Sequence, residues 1–247
     1  MVGVLEPIWH EIPEVAKKLK QALARVFEWA RDQELYIGDN PASGKIQGLG
    51  PQRTRTKHHA AAPIDDLPRL WTRLCDVGGI GPIALRFLIL TAARSGEVRK
   101  LRWSEVDPSA ALWVIPAEKM KGGREHRVPL SPAALALLES VAPLRRDPDD
   151  LVFPNAKGTE LSDATLARVL DRLAVEGRPH GMRSSFRDWA TEIASTNHPM
   201  ARDLAELSLA HQVGDEVERA YARSDLLARR RALLDDWAAF VTGADPL

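Results

Sequence analysis

The apolar positions divide the chain into stretches of different texture. Over 13–36, Val15, Leu19, Ala22, Leu23, Val26, Phe27 and Ala30 recur at spacings of three and four with Lys and Arg between them. That period predicts an amphipathic helix. Gly38-Asp39-Asn40-Pro41 supplies its stop signal. Residues 42–62 hold Gly, Pro, Ser, Thr and basic residues with no apolar period, so they read as a linker. The boundary predicted from it separates a region 1–62 from a domain 63–247.

Beyond the linker, Pro63 to Leu74 begins a helix, with Asp65 or Asp66 as N-cap. Residues 82–92, PIALRFLILTA, are nearly all apolar, which predicts a buried helix, and 97–101 continues helical. The period then changes to that of strands at 102–107, 111–116 and 125–130. Pro108-Ser109-Ala110 turns the chain between the first two, and a loop at 117–124 with Gly122-Gly123 joins the last two. Helices return at 132–141, 161–176, 182–195 and 200–209. A last long helix is predicted over about 215–240, started by Asp215 and Glu218 in a capping-box arrangement. The expected class is mainly α with a small antiparallel β-sheet (α+β), without internal repeats.

Composition adds bounds. Apolar residues make up 45% of the 247, enough for a real core. No run approaches the roughly 20 apolar residues of a membrane span. The start, MVGVLEPIWHEIPE, has neither the basic nor the apolar region of a signal peptide, so a cytosolic protein is expected. Cys75 is the only cysteine, which excludes an internal disulfide. The net charge is zero, yet residues 45–59 carry Lys45, Arg53, Arg55 and Lys57 and no acid. Such a run suits phosphate contacts on DNA and equally suits a solvated surface.

Candidate chemistry is thin when taken residue by residue. His180 and Arg183 in HGMR lie at i,i+3 on one helix face, with Arg187 on the same side. They suit a phosphate or an ordinary ion pair. Arg94 leaves the apolar helix just before Ser95-Gly96-Glu97 and needs an anion, either Glu97 or a substrate. Lys121 lies in the Gly-bearing loop between strands, where an exposed lysine is ordinary. His211 alone reads as a structural histidine. Tyr36 and Tyr221 are the only tyrosines, and the latter alone reads as packing on an amphipathic helix. His58-His59 lacks metal-ligand spacing, Gly78-Gly79-Ile80-Gly81 is no P-loop, and no acidic cluster suits a two-metal site.

The order of these residues changes their weight. TAARSGEVRKLRWSEVD, IPAEKMKGGREHRVPLS, HGMRSSFRDWA and LSLAHQVGDEVERAYARSD follow one another. The series resembles the catalytic domain of tyrosine recombinases, nearest to prophage-type integrases. Arg94 matches the first arginine of that family and Lys121 its hairpin lysine. His180 and Arg183 match its His-x-x-Arg pair. His211 matches the second histidine, in LAH where many members read LGH, and Tyr221 the nucleophile ten residues on. The resemblance covers about 63–241 well. It implies a catalytic domain of the DNA breaking-and-rejoining fold. Residues 1–62 would be a partial helical core-binding region, in a chain that is short at its N-terminus relative to full-length members.

The resemblance also implies an activity, site-specific recombination that integrates or excises a mobile element through a 3′-phosphotyrosyl intermediate. Arg94 and Arg183, helped by His211, would hold the non-bridging oxygens. His180 would take the phenol proton and Lys121 would protonate the leaving 5′-oxygen. No metal or other cofactor is implied. The implied partners are double-stranded DNA attachment sites and further copies of the chain, up to a tetramer. The rival expectations are a truncated DNA-binding remnant without independent activity and a strand-relaxing enzyme like a type IB topoisomerase.

Overall fold

The computed structural model describes residues 1–52, 62–120, 122–211 and 225–244. Two compact units divide the chain, Met1–His58 and His59–Leu247. In the first, α1 (Val2–Trp9) and α2 (Pro13–Asp32) pack together. The sequence pattern had not indicated α1. Pro13 opens α2, where its missing N–H costs nothing. The helix ends four residues before the predicted 36, and Glu34 takes left-handed backbone just beyond it. Asn40, from the predicted stop signal, is buried. Its amide donates to the Ala24 carbonyl and to Glu28, each at 2.8 Å. Leu5, Ile46 and Leu49 form the small core of this unit.

The second unit is built around α4 (Ile80–Thr91), whose residues from Leu85 to Thr91 are buried apart from Arg86. An apolar surface on every side is what such a central helix requires. α3 (Leu67–Cys75) precedes it, entered through a 3-10 turn at Ile64–Asp66. Asp66 stands at the N-cap of α3 but makes no side-chain capping bond. α5 (Ser95–Arg99) follows α4 after a tight reversal. The predicted strands are present but shorter: β1 (Val106–Asp107), β2 (Leu112–Ile115) and β3 (His126–Pro129), antiparallel in the order β1-β2-β3. Trp113 pairs with Val128 and points inward against Phe87. A 3-10 turn at Trp103–Glu105 replaces most of the first predicted strand.

Four helices follow, α6 (Pro132–Val141), α7 (Thr165–Arg172), α8 (Gly181–Glu192) and α9 (Ala201–Ser208); α6 and α7 pack on α4, and α8 packs on α9. Ser131 caps α6, its hydroxyl accepting from Ala134 N–H at 3.3 Å. Gly81 lets α4 approach α7, since a Cβ there would lie 3.2 Å from Thr165 Cγ2. The last helix, α10 (Leu227–Thr242), starts later than predicted. Leu226 is left-handed (φ 51°), so no single helix runs from 215 to 240. The expected capping pair Asp215 and Glu218 lies outside the described residues. Among those residues, no helix is long and apolar enough to cross a membrane.

α10 seals the core. Trp237 is fully buried among Phe186, Trp189 and Phe240, with ring centroids 5.1–6.1 Å away. Its indole N–H donates to the Ile89 carbonyl at 2.7 Å, in the last turn of α4. Trp237→Phe should therefore cost about 2–3 kcal/mol, from a lost ring and a carbonyl left unpaired. Urea unfolding of the variant measures it, and an unchanged midpoint would contradict the assigned role of this anchor.

Candidate active site

The site forms where two helices end. α4 stops at Ala92, in left-handed backbone (φ 51°), and α9 at Leu209, followed by left-handed Ala210 (φ 51°). Carbonyls at such ends lack partners within their own helix and carry the negative end of its dipole. Arg183, on the first turn of α8, fills that need. It is 4% exposed. Its guanidinium donates to the Ala92 carbonyl at 2.5 Å and to the Leu209 carbonyl at 2.6 Å.

Arg94 comes to the same point from the other side. It is the N-cap residue of α5, and its guanidinium donates to the Leu209 carbonyl at 3.4 Å. Glu97 reaches back to it, one oxygen accepting from the Arg94 guanidinium and the other from its backbone N–H, both at 2.7 Å. His211 completes the group, its Nε2 lying 3.4 Å from a terminal nitrogen of Arg183. Two predicted residues, Arg94 and Arg183, thus meet at one carbonyl oxygen, and a third, His211, lies against Arg183. Their side chains grade from buried Arg183 to Arg94 at 32% and His211 at 42% exposure, so the cluster opens to solvent on one side.

This cluster sets two guanidiniums, Arg94 and Arg183, against two carboxylates, Glu97 and Glu206. Burial, then the neighbouring Arg94 charge, brings Arg183 down to about 10 against the opposing pull of Glu97 and Glu206. At neutral pH it stays charged. A buried cation beside a second cation is costly unless anions compensate. Two planar guanidiniums at such an opening suit the oxygens of a phosphodiester.

His180 stands at the N-cap of α8 and is exposed, its carbonyl accepting from Arg183 N–H at 3.2 Å. Arg187 turns out of this cluster, exposed beside Asp188 at 3.7 Å. Lys45 is exposed in the first unit. Lys121, Tyr221, Arg53, Arg55 and Lys57 lie outside the described residues. The neighbouring Lys119 is engaged, donating to Glu105 and to the Lys100 carbonyl.

Sequence reasoning missed several members of the site. Glu206 holds His211 Nδ1 at 2.5 Å, and its position five residues earlier carries no motif of its own. His126 of β3 lies behind the cluster, Nε2 at 3.1 Å from the Ser208 carbonyl. Since a carbonyl only accepts, that nitrogen carries the proton. Burial, then the Arg230 charge, holds His126 down to about 4. Arg230 of α10 is itself buried, donating to Ser208 Oγ at 3.3 Å and to the Arg127 carbonyl at 2.6 Å. Arg127 in turn grips Asp225 through two bonds of 2.8 and 2.9 Å.

A sequence model of the phage integrase family matches residues 71–226. The chain belongs to the phage integrase family. This tyrosine recombinase relationship extends past the matched stretch. Prophage integrase IntA of Escherichia coli K12 is 33% identical over 241 residues, covering 94% of this chain and 55% of that protein. The integrase of Enterobacteria phage P4 is 30% identical, covering 92% of this chain and 55% of its own length. The chain therefore spans a little over half the length of these relatives. Among solved structures, a lambda integrase tetramer bound to a Holliday junction matches with a TM-score of 0.60 at 18% identity, over 87% of this chain and 63% of that one. The likeness confirms the fold, helical with a small antiparallel sheet.

Two measurements follow from the site. Ala210 occupies a left-handed position that glycine adopts freely, and an L-residue pays about 1 kcal/mol or more there. Ala210→Gly should stabilise the protein by roughly 0.5–1 kcal/mol, net of the added freedom of the unfolded chain. Chemical denaturation reads it, and a destabilised variant would count against the geometry. His126 has a depressed folded value of about 4, whereas in the unfolded chain it titrates near 6.5. The unfolded state therefore binds more protons between these values, and stability falls as pH drops through that window. His126→Gln should flatten the pH dependence of the urea midpoint by an amount on the order of 2 kcal/mol. Identical pH profiles for variant and wild type would remove His126 from this account.

Proposed function

We propose that this chain catalyses site-specific recombination, cutting and rejoining double-stranded DNA attachment sites through a covalent bond to Tyr221. The observation that carries the reading is the convergence of Arg94 and Arg183 on the Leu209 carbonyl, with His211 against Arg183, open to solvent on one side. Tyr221 follows His211 by ten residues and precedes Asp225 by four. Both flanks are held, His211 by Glu206 and Arg183, and Asp225 by Arg127.

In this mechanism Arg94 and Arg183 bind the non-bridging oxygens of the scissile phosphate, helped by His211. Fixed cations of this kind stabilise the charge that develops in the transition state without reorganising. The Tyr221 phenol, protonated near neutral pH in water, gives its proton to His180 as its oxygen attacks phosphorus. The bond to the 5′-oxygen breaks, and Lys121 protonates that leaving group. A 5′-hydroxyl from a second strand reverses the sequence, releasing Tyr221 with its proton restored. The phosphotyrosyl ester conserves the bond energy.

Lys45, Arg53, Arg55 and Lys57 act in this reading as sequence-independent contacts to the DNA backbone. The tetrameric assembly named for the lambda integrase relative supports self-assembly of this chain on paired sites. The working compartment is the bacterial cytosol, where the DNA lies.

Tyr221→Phe should abolish the denaturant-resistant covalent complex on a nicked attachment-site duplex while leaving affinity for that duplex within about twofold. Equal covalent trapping by the variant would refute Tyr221 as nucleophile. Joining of strands from two different duplexes, rather than relaxation of one, separates recombination from a topoisomerase-like activity.

A further inference from the structure

The carboxylate of Glu206 is not among the residues to which the reaction above gives a role, yet it lies only 2.5 Å from a member of the site. α9 ends in a return that folds the chain back on itself. His211 N–H donates to the Glu206 carbonyl at 2.9 Å and Ala210 N–H to the Leu207 carbonyl at 3.1 Å, with Ala210 left-handed between them. This pair of bonds is the Schellman ending of a helix. Its effect is to set the His211 ring over the residue five positions earlier. There Glu206 Oε2 lies 2.5 Å from Nδ1. Glu206 therefore holds His211 twice, by its backbone carbonyl and by its side chain.

The chemistry of that contact has a direction. An ionised carboxylate only accepts hydrogen bonds, so Nδ1 carries the proton. The opposite edge, Nε2, is then the one turned to Arg183 at 3.4 Å and to the cluster that would face a phosphate. A proton held at Nε2 creates an imidazolium, and the Glu206 carboxylate faces that charge from behind. Glu206 also opposes the loss of charge on Arg183, so it acts on two members of the site at once. Its side chain is 23% exposed, sheltered enough to hold one geometry.

We propose that Glu206 is a positioning residue of the recombination site, which fixes the tautomer and orientation of His211 so that Nε2 serves the scissile phosphate. The inference rests on the function proposed above and deepens it. Two variants divide its parts. Glu206→Gln can still accept from Nδ1 through its amide oxygen but carries no charge. Glu206→Ala can do neither.

The test uses the full chain, a nicked attachment-site duplex and ¹⁵N-labelled histidine. Long-range ¹H–¹⁵N spectra should show Nδ1 as the protonated nitrogen of His211 in the wild type and in Glu206→Gln, and mixed tautomers in Glu206→Ala. Single-turnover cleavage should fall roughly 10- to 100-fold in Glu206→Ala, the scale on which outer carboxylate partners of an imidazole act, and less in Glu206→Gln. DNA affinity should hold within about twofold in both. Wild-type cleavage by Glu206→Ala, or an unchanged His211 tautomer, would overturn the proposal. So would a rate loss matched by an equal loss of DNA affinity or by unfolding at the assay temperature, since either marks a merely structural residue. Failure of the wild type itself to form a covalent complex would instead sink the recombinase reading, and the spectra would still decide what Glu206 does to His211.

Discussion

Burial of the Arg183 guanidinium is the constraint around which the second unit is arranged. A cation taken from water is costly, and this one is 4% exposed with Arg94 close by. The fold offsets that cost with the unpaired carbonyls of two helix ends, Ala92 after α4 and Leu209 after α9. Both ends turn through left-handed alanines, which is unfavourable locally but aims the carbonyls at one point. Strain of this kind persists where surrounding packing over-determines it. Here the packing is aromatic: Phe186 and Trp189 on α8 against Trp237 and Phe240 on α10. Trp237 also donates to Ile89, three residues before Ala92, so the core holds the turn that receives the arginine.

A second polar network lies behind the first. His126 and Arg127 on β3 join Ser208 at the end of α9, Arg230 on α10 and Asp225 before it. The exposed ion pairs elsewhere, such as Arg178 with Asp171, add little to stability. The Arg127–Asp225 pair differs because it is two-pronged and shares Asp225 with the buried Arg230. It ties the strand that leaves the loop of Lys121 to the residue that follows Tyr221 by four. In the proposed reaction, groups supplied by separate segments would need such a shared frame.

Much of the fold was legible because the apolar period changes clearly along the chain. The nearly all-apolar run at 82–92 reads as a buried helix, and Trp113 and Val128 alternate as inward residues of strands should. Element ends were less legible, since 103–105 folds as a turn that only its packing against the rest selects. The α10 start also escaped, because the apolar stripe continues across Leu226 while the backbone breaks there. For the site, HGMR and the arginine ending the apolar run were readable as candidates, though Arg187 on the same predicted face turns away to Asp188.

The linear order of Arg94, Arg183 and His211, the helical period that carries them and the family they belong to were determined by the residues alone, because these depend on local spacing. What those residues touch was decided only in three dimensions. Backbone carbonyls bear no side-chain signature, so nothing in the order of residues marked Ala92 and Leu209 as the acceptors of a buried charge. Glu206 and His126 were likewise invisible, one reaching His211 by a helix-end reversal and the other crossing 82 residues to Ser208. Those pairings arise from how α4, α8 and α9 converge, and convergence is a property of packing rather than of sequence period.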